Sequence, residues 1–222
     1  MITIGYSTKK IDPLFKRYIQ ETSGIHKVEV IPYENKGEYS LTEAYNYILE
    51  KATYDIVVLC HDDIYFEKQN WGRKILKHFK RNPDYGILGV AGTKQLPSSG
   101  MWWEDKSNMC GIVNHQNEQG KWVSRYSLSK GNEIDDVEVL DGVFMIVNKN
   151  KIVRGFNEKI KGFHFYDIDF TYNNHLNGVP IGVIYDIRIT HLSVGMTNQE
   201  WENNRQLFVS LYKDKSLEKI TN

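Results

Sequence analysis

The stretch Tyr54-Asp55-Ile56-Val57-Val58-Leu59-Cys60-His61-Asp62-Asp63-Ile64-Tyr65-Phe66 constrains the fold most. Residues 56–60 are an unbroken apolar run, rich in β-branched side chains. A run that short reads as a central strand of a parallel sheet, buried on both faces. It stops abruptly at His61, Asp62 and Asp63. Adjacent carboxylates at the end of a buried strand repel each other and lose hydration, so they need a counter-ion or solvent. In open α/β sheets the carboxyl ends of the strands are where ligands bind. An acidic pair there suits a hard divalent cation holding a phosphate-bearing substrate. The plainer alternative is an acidic loop that only caps the next helix.

The flanking pattern supports an α/β chain. Residues 2–6 form a short apolar strand followed by a polar loop. Asp12-Pro13 reads as N-cap and first helical residue, and Leu14, Phe15, Tyr18 and Ile19 supply one apolar face. Val28, Val30 and Ile31 predict a second strand, ended by Pro32. Ser40 and Glu43 have capping-box spacing before a helix carrying Leu41, Ala44, Tyr45, Ile48 and Leu49. Trp71, Ile75, Leu76 and Phe79 stripe a third helix closed by Asn82-Pro83, and residues 86–91 predict another strand. Strand and helix therefore alternate through the first ~90 residues, as in βαβ units. Neither glycine-rich phosphate fingerprint is present.

After Gly92 the pattern changes. Residues 93–108, with Pro97, Gly100, Trp102 and Trp103, read as a long loop, and long loops in compact domains are usually functional. Residues 110–114 and 121–127 predict two strands around the turn Gln116 to Gly120. Residues 137–147 predict a strand broken at Asp141-Gly142. Phe165, Ile168, Tyr172 and Leu176 predict a helix over 164–177, stopped by Gly178. Residues 181–185 read as a strand. Thr197 and Glu200 have capping-box spacing before a last helix bearing Trp201, Phe208, Leu211 and Tyr212.

A chain of 222 residues suits one α/β domain. With 28 basic and 28 acidic residues there is no basic excess to favour nucleic acid. The N-terminus lacks a signal-peptide pattern and no apolar run reaches membrane-span length. A cytoplasmic location is expected, with peripheral attachment at the inner face of the membrane left open. Of the two cysteines, Cys60 sits in the predicted central strand and reads as a buried free thiol.

Four polar interruptions of apolar segments carry the chemistry: His61-Asp62-Asp63, Asp141-Gly142, Tyr166-Asp167-Ile168-Asp169, and His191. Singly each is weak. Asp167 and Asp169 would also favour a helix N-terminus through the macrodipole, and a lone histidine is often structural. In this order they resemble family-2 glycosyltransferases of the GT-A fold, closest to a small bacterial glycosyltransferase-like subset with His-x-Asp at the end of the metal strand. Ile4-Gly5-Tyr6-Ser7-Thr8 matches the first strand and its loop, and Asn46 falls where the family often has an Asn. His61-Asp62-Asp63-Ile64 stands at the D-x-D. Leu140-Asp141-Gly142-Val143-Phe144 matches the acceptor-side strand, Phe165-Tyr166-Asp167-Ile168-Asp169-Phe170 the acidic helix start, and His191 the histidine after the last core strand. Two departures stand out. Cys60 occupies the first Asp of the usual pattern, and Tyr166 replaces the Glu before the catalytic Asp.

The resemblance implies a single GT-A-like domain with a mostly parallel central sheet flanked by helices and a small antiparallel acceptor-side portion. Residues 1–95 would form the nucleotide-sugar half and 96–222 the acceptor half. It implies inverting, metal-dependent transfer from a UDP- or GDP-sugar to a glycan or glycolipid hydroxyl, as in bacterial polysaccharide synthesis. Mn²⁺ or Mg²⁺ would neutralise the leaving diphosphate. On that reading Asp63 and His191 are the leading metal ligands, with Asp62 turned towards the ribose or a metal-bound water, because neighbours in an extended segment point opposite ways. Asp167 is the general base. Tyr6, Ser7, Thr8, Glu34, Asn35, Asn46 and His61 are expected on the donor side. Trp102, Trp103, Asp141, Gly142 and Asp169 are expected on the acceptor side. Two rival readings are a sugar nucleotidyltransferase, a class that usually has a glycine-rich basic loop after its first strand, to which Gly5-Tyr6-Ser7-Thr8-Lys9-Lys10 is a poor match, and a nucleotide- or glycan-binding module that has lost catalysis.

Overall fold

The computed structural model describes residues 1–126, 133–193 and 195–218. The strands are β1 (Ile2–Thr8), β2 (Val28–Glu34), β3 (Ile56–Cys60), β4 (Ile64–Phe66), β5 (Ile87–Gly89), β6 (Ala91–Thr93), β7 (Met109–Asn117), β8 (Gly120–Arg125), β9 (Ile134–Asp136), β10 (Val139–Leu140), β11 (Phe144–Asn148), β12 (Ile181–Ile184) and β13 (Ile189–His191). The helices are α1 (Pro13–Ser23), α2 (Leu41–Lys51), α3 (Trp71–Arg81), α4 (Tyr166–Leu176) and α5 (Gln199–Glu218).

The main sheet has the order β2-β1-β3-β11-β5-β12-β9. β1, β2 and β3 run parallel; β11 is antiparallel to both β3 and β5, β12 is parallel to β5, and β9 is antiparallel to β12. Five strands thus share one direction while β11 and β9 oppose it, so the sheet is mixed but mostly of one polarity. It draws strands from both sides of residue 95. A second sheet, β10-β6-β7-β13-β4 with β8 on β7, is antiparallel except for the β7–β13 pair.

The central run behaves as its composition requires. Val58 and Cys60 pack in one core cluster, and Val57 and Leu59 in the other. β11 divides the same way, with Phe144 and Ile146 on one side and Met145 and Val147 on the other. The period-2 alternation of a strand therefore feeds two cores. Helices α1 and α3 cover the first through Ile19, Trp71, Ile75 and Phe79; α2 covers the second through Leu41, Tyr45 and Ile48. Cys60 and Cys110 are both buried and neither forms a disulfide. Among the described residues no helix is long and apolar enough to cross a membrane.

Helix starts follow the local chemistry, with one exception. Asp12 Oδ1 accepts from Leu14 N at 2.8 Å, and Ser40 and Glu43 form the reciprocal capping box. At α5 the cap is Asn198, whose Oδ1 accepts from Trp201 N at 2.8 Å, and not Thr197. Glu200 instead accepts from Phe163 N at 2.9 Å, pinning the loop before α4.

Three strand boundaries differ from expectation. β2 does not stop at Pro32 but continues to Glu34, pairing Pro32 with Tyr6. It is the sheet edge, where a missing N–H costs no ladder bond. The apolar run 86–91 splits at Val90 into β5 and β6, which belong to different sheets. The expected 110–114 and 121–127 strands become the longer hairpin β7–β8, and residue 127 lies outside the described residues. The long loop is real: residues 94–108 form no helix or strand.

Close approach of α2 to β1 depends on Gly5, where an added methyl would run into the Ile48 side chain. Gly5→Ala should destabilise the fold by about 1–3 kcal/mol through overpacking. Thermal unfolding should show a midpoint several degrees lower, and an unchanged midpoint would contradict this packing.

Candidate active site

The polar residues at the end of β3 meet the end of β13. β4 and β13 pair with His191 opposite Ile64, and Leu192 N donates to Asp63 O at 2.9 Å. This brings three side chains together. His61 Nδ1 lies 3.2 Å from His191 Nε2, His191 Nε2 lies 3.2 Å from Asp63 Oδ1, and His61 Nδ1 lies 3.9 Å from Asp63 Oδ1. Ser193 Oγ is a further 3.0 Å from His191 Nε2. One imidazole nitrogen offers either one proton or one lone pair, so it cannot satisfy three polar neighbours at this range. Two imidazole nitrogens and a carboxylate oxygen converging on one point are the donor set of a divalent transition-metal site. His61, Asp63 and His191 could hold such an ion.

The state of these groups suits that role. Burial, then neighbouring His191, hold the His61 pKa below its usual value, which favours the neutral ligand form. Burial opposes ionisation of Asp63, but hydrogen bonds from His191 and Ser193 and the nearby imidazoles outweigh it, bringing its pKa to about 2. Tyr166 Oη sits 2.9 Å from His61 Nε2. A histidine presenting Nδ1 to a metal donates its other ring N–H to such a partner, which fixes tautomer and ring orientation. Tyr166 thus occupies a position where the resembled family has a Glu and still contacts the metal-competent group.

Asp62 does not join this trio. It is exposed and lines a cleft of about 410 Å³ with Tyr6, Thr8, Lys10, Asp12, Tyr18 and Tyr65. It lies in the turn between β3 and β4, which directs it into a different cleft from the one His61 lines. Tyr6 is buried, its Oη atom has no hydrogen-bond partner, and burial above all, with the neighbouring Cys60 thiol and the carboxylates Asp62 and Asp12, pushes its pKa up to about 12. Ser7 is half-buried opposite Tyr33 in the β1–β2 ladder. Glu34 is exposed at the end of β2 and pairs with Lys36 at 3.4 Å.

Two expected donor-side residues have structural work instead. Asn35 is buried, and its side chain binds Gly37 N, Tyr39 N and Tyr39 O, closing the loop before α2. Asn46 grips the chain at Phe156, donating to its carbonyl at 2.9 Å and accepting from its N–H at 2.8 Å.

On the other side of the trio lies a second cavity of about 400 Å³. His61, His191, Asp141 and Asp167 form its polar floor, with aromatic walls that include Trp102, Trp103, Trp122, Tyr126 and Trp201. Its floor is built by a β-turn-like break and a helix start. Asp141 N donates to Ala91 O, Leu140 N donates to Thr171 Oγ1, and Thr171 Oγ1 donates to Asp167 O. Gly142 N donates to Asp167 Oδ2 at 2.7 Å, and Ile168 N to Oδ1 at 2.9 Å. Only glycine fits at 142, because a Cβ would strike Tyr166 Oη. Phe165, just before α4, adopts φ 63°, the left-handed region a side chain disfavours. Its ring is held against Trp201 and Phe208, which offsets that cost.

Asp167 differs from Asp63 in its surroundings. Burial, then the charge of Asp141, raise its pKa to about 7, against hydrogen bonds from Gly142 and Ile168 that lower it. Asp169 is two residues on and faces away. It is buried beneath α5, where Tyr212 Oη donates to its Oδ1 at 3.0 Å, so it does not line the cavity expected for the acceptor. Trp102 is nearly buried, at 4% exposure, and packs edge-on to Trp103 and Tyr126; Trp103 is open, at 39%.

Sequence reasoning did not find His115, Tyr126, Trp122, Phe163 or Trp201 as cavity residues. His115 is opposite His191 in the β7–β13 pair and stacks on Trp122 at 5.1 Å. No local motif marks it; only the sheet pairing brings it in.

This architecture is that of the GT-A glycosyltransferases. GalNAc-T7, solved with UDP, GalNAc and Mn²⁺, superposes with a TM-score of 0.56 at 9% identity over 94% of this chain and 47% of that one. The mannosyltransferase PcManGT from Pyrobaculum calidifontis, in complex with GDP-Man and Mn²⁺, gives 0.54 at 11% identity over 98% of this chain and 64% of that one. Residues 1–349 of TarS from S. aureus give 0.53 at 14% identity, covering 93% and 64%. The chain therefore spans between about half and two thirds of these structures. No curated protein matches the sequence. Residues 16–213 match the Glycosyltransferase like family, and the chain belongs to it.

If the Asp141 charge helps raise the Asp167 pKa, Asp141→Asn should lower it. The Asn keeps the oxygen that accepts from Val143 N at 2.9 Å. Titration of the Asp167 carboxyl by carbon-13 NMR should show its midpoint below about 7 in the variant; an unmoved midpoint would leave burial as the whole cause.

Proposed function

We propose that this protein is an inverting glycosyltransferase that moves a sugar from a nucleoside-diphosphate sugar to an acceptor hydroxyl. The observation that carries this reading is the setting of the metal-competent trio. His61 and His191 face the cavity that holds Asp167, while Asp62, between His61 and Asp63, faces the cleft beside β1. A donor nucleoside in that cleft and an acceptor in the aromatic cavity would meet at the trio.

Tyr18 and Tyr65 offer aromatic surface, and Tyr6 and Thr8 hydroxyls, for a base and ribose, with Asp62 as an acceptor for ribose hydroxyls. His61, Asp63 and His191 would hold the divalent cation, His61 taking the place first given to Asp62. A cation there would neutralise the diphosphate as it leaves. Two imidazoles beside one carboxylate favour Mn²⁺ over Mg²⁺, which prefers an all-oxygen shell. The bound UDP and GDP-Man of the two structural relatives are consistent with either nucleotide in this chain.

Asp167 is the general base. The acceptor oxygen attacks the anomeric carbon, the bond from that carbon to the diphosphate oxygen breaks, and the hydroxyl proton passes to Asp167. Attack opposite the leaving group inverts the anomeric centre. A base with a pKa near working pH is well matched to this task. Gly142 N–H and Ile168 N–H fix the carboxylate, and Asp141 sits beside it.

The test is release of UDP or GDP from a panel of nucleotide-sugars with Mn²⁺. Asp167→Asn should keep donor binding and lose roughly 10²–10⁴-fold in turnover; wild-type turnover in that variant would remove Asp167 as the base. The base works ionised, so wild-type activity should rise with pH through about 7 and fall away below it.

A separate measurement addresses the metal. Tyr166→Phe removes the partner of His61 Nε2 and should weaken Mn²⁺ binding roughly 10–100-fold, read by calorimetry or Mn²⁺ electron paramagnetic resonance. Undiminished affinity would take His61 out of the ligand set.

A further inference from the structure

We infer that the acceptor is a neutral glycan, bound through the apolar face of a terminal pyranose, and that acidic or phosphorylated sugars are excluded. The inference rests on the glycosyltransferase reading for the word acceptor, but its basis is the chemistry of the cavity wall.

The rim is aromatic and open. Trp103, Trp122 and Phe163 are among the exposed large apolar side chains of the protein, and all three border this one cavity, as does exposed Met196. Clustered exposed apolar side chains mark a binding surface, whereas single ones do not. Trp103 and Trp201 lie 5.8 Å apart at 40°, two walls set at an angle. Trp122 is held by its stack on His115, with planes 10° apart. Rigid aromatic faces complement the C–H face of a pyranose, and the polar groups between them, Ser124, His164 and Thr197, can meet its hydroxyl edge.

Charge decides the class of sugar. Among the described residues lining the cavity there is no Lys or Arg; its carboxylates are Asp141 and Asp167, both on the floor. A carboxylate or phosphate on the acceptor would find no cationic side chain here, since a cation held by His61, Asp63 and His191 would be taken by the donor diphosphate, and it would face two like charges across a partly desolvated space. A neutral sugar pays neither cost, and its hydroxyls can donate to the same two aspartates. The exclusion of anions is therefore a property of the floor, and the affinity for a pyranose a property of the rim.

The two parts can be tested separately by binding, with no transfer required. Saturation-transfer NMR, with Mn²⁺ and UDP or GDP present, would compare cellobiose, lactose, mannobiose and N-acetylchitobiose with cellobiouronic acid, mannose 6-phosphate and glucosamine. At least one neutral disaccharide should bind, with the strongest transfer to protons of one ring face. Trp103→Ala should weaken that binding at least tenfold while leaving the unfolding midpoint and Mn²⁺ binding unchanged, since Trp103 is a rim residue. Asp141→Asn should improve binding of the acidic sugars relative to the neutral ones. The inference is overturned if no neutral sugar binds, if an acidic or cationic sugar binds best, or if neutral binding survives both Trp103→Ala and Trp201→Ala. A thermal shift with UDP or GDP and Mn²⁺ alone reports on the donor side. Its failure beside intact neutral-sugar binding would remove the transferase reading and leave a glycan-binding site.

Discussion

The structure depends on how the chain resolves the end of β3. Residues 56–60 are buried on both faces, so the strand can end only where the sheet itself ends. The next three residues inherit that position whatever their character. They turn sharply between β3 and β4, and consecutive side chains diverge: His61 to the aromatic cavity, Asp62 to the cleft beside β1, Asp63 to His191. Charge at a strand end is costly unless it is neutralised or wet. Here Asp62 stays exposed while Asp63 stays half-exposed and lies within reach of two imidazoles. A buried strand thus creates a three-way junction, and the two cavities follow from it.

The opposite wall depends on a second close contact. Asp141-Gly142 breaks the apolar run that would otherwise join β10 to β11. That break lets the start of α4 approach until Tyr166 Oη occupies the space a Cβ at 142 would need. The same contact places Tyr166 on His61 and Asp167 on Gly142 N–H. One glycine therefore couples the orientation of a metal-competent histidine to the position of the neighbouring carboxylate. A larger residue at 142 would disturb both together.

Much of this was legible in the sequence because it is local. The double-sided strand, the Asp12 and Ser40 caps, the break at Asp141-Gly142 and the helix carrying Asp167 each rest on spacing within a few residues. Asp63 and His191, 128 positions apart, could be paired only through resemblance to a family, and they do lie together. The places where the structure departs from the local pattern have a common physical origin. Asn35 and Asn46 sit where a ligand group is expected, but an amide satisfies backbone groups as readily as it binds a ligand, and both do so here. Asp169 lies two residues from Asp167, and two residues along a helix turn a side chain by more than half a circle, which sends it under α5. His115, Trp122 and Tyr126 come from the β7–β8 hairpin, whose register against β13 has no local signature. Pro32 misled because edge position, which alone permits it, is a property of the finished sheet.

The two aspartates that matter most differ only in their surroundings. Asp63 has imidazoles and a hydroxyl around it, and its pKa falls to about 2. Asp167 has a neighbouring carboxylate and apolar cover, and its pKa rises to about 7. The first is a permanent anion suited to holding a cation; the second can take up and release a proton near neutrality. Environments that push like groups apart in this way separate electrostatic from proton-transfer roles within one site. Here the separation is built by topology, since β13 brings the His191 imidazole to Asp63 while the β10–β11 break brings Asp141 to Asp167. Cys60 and Tyr166, the two departures from the family's acidic pattern, disturb neither arrangement: Cys60 points into the core, and Tyr166 supports His61 from behind.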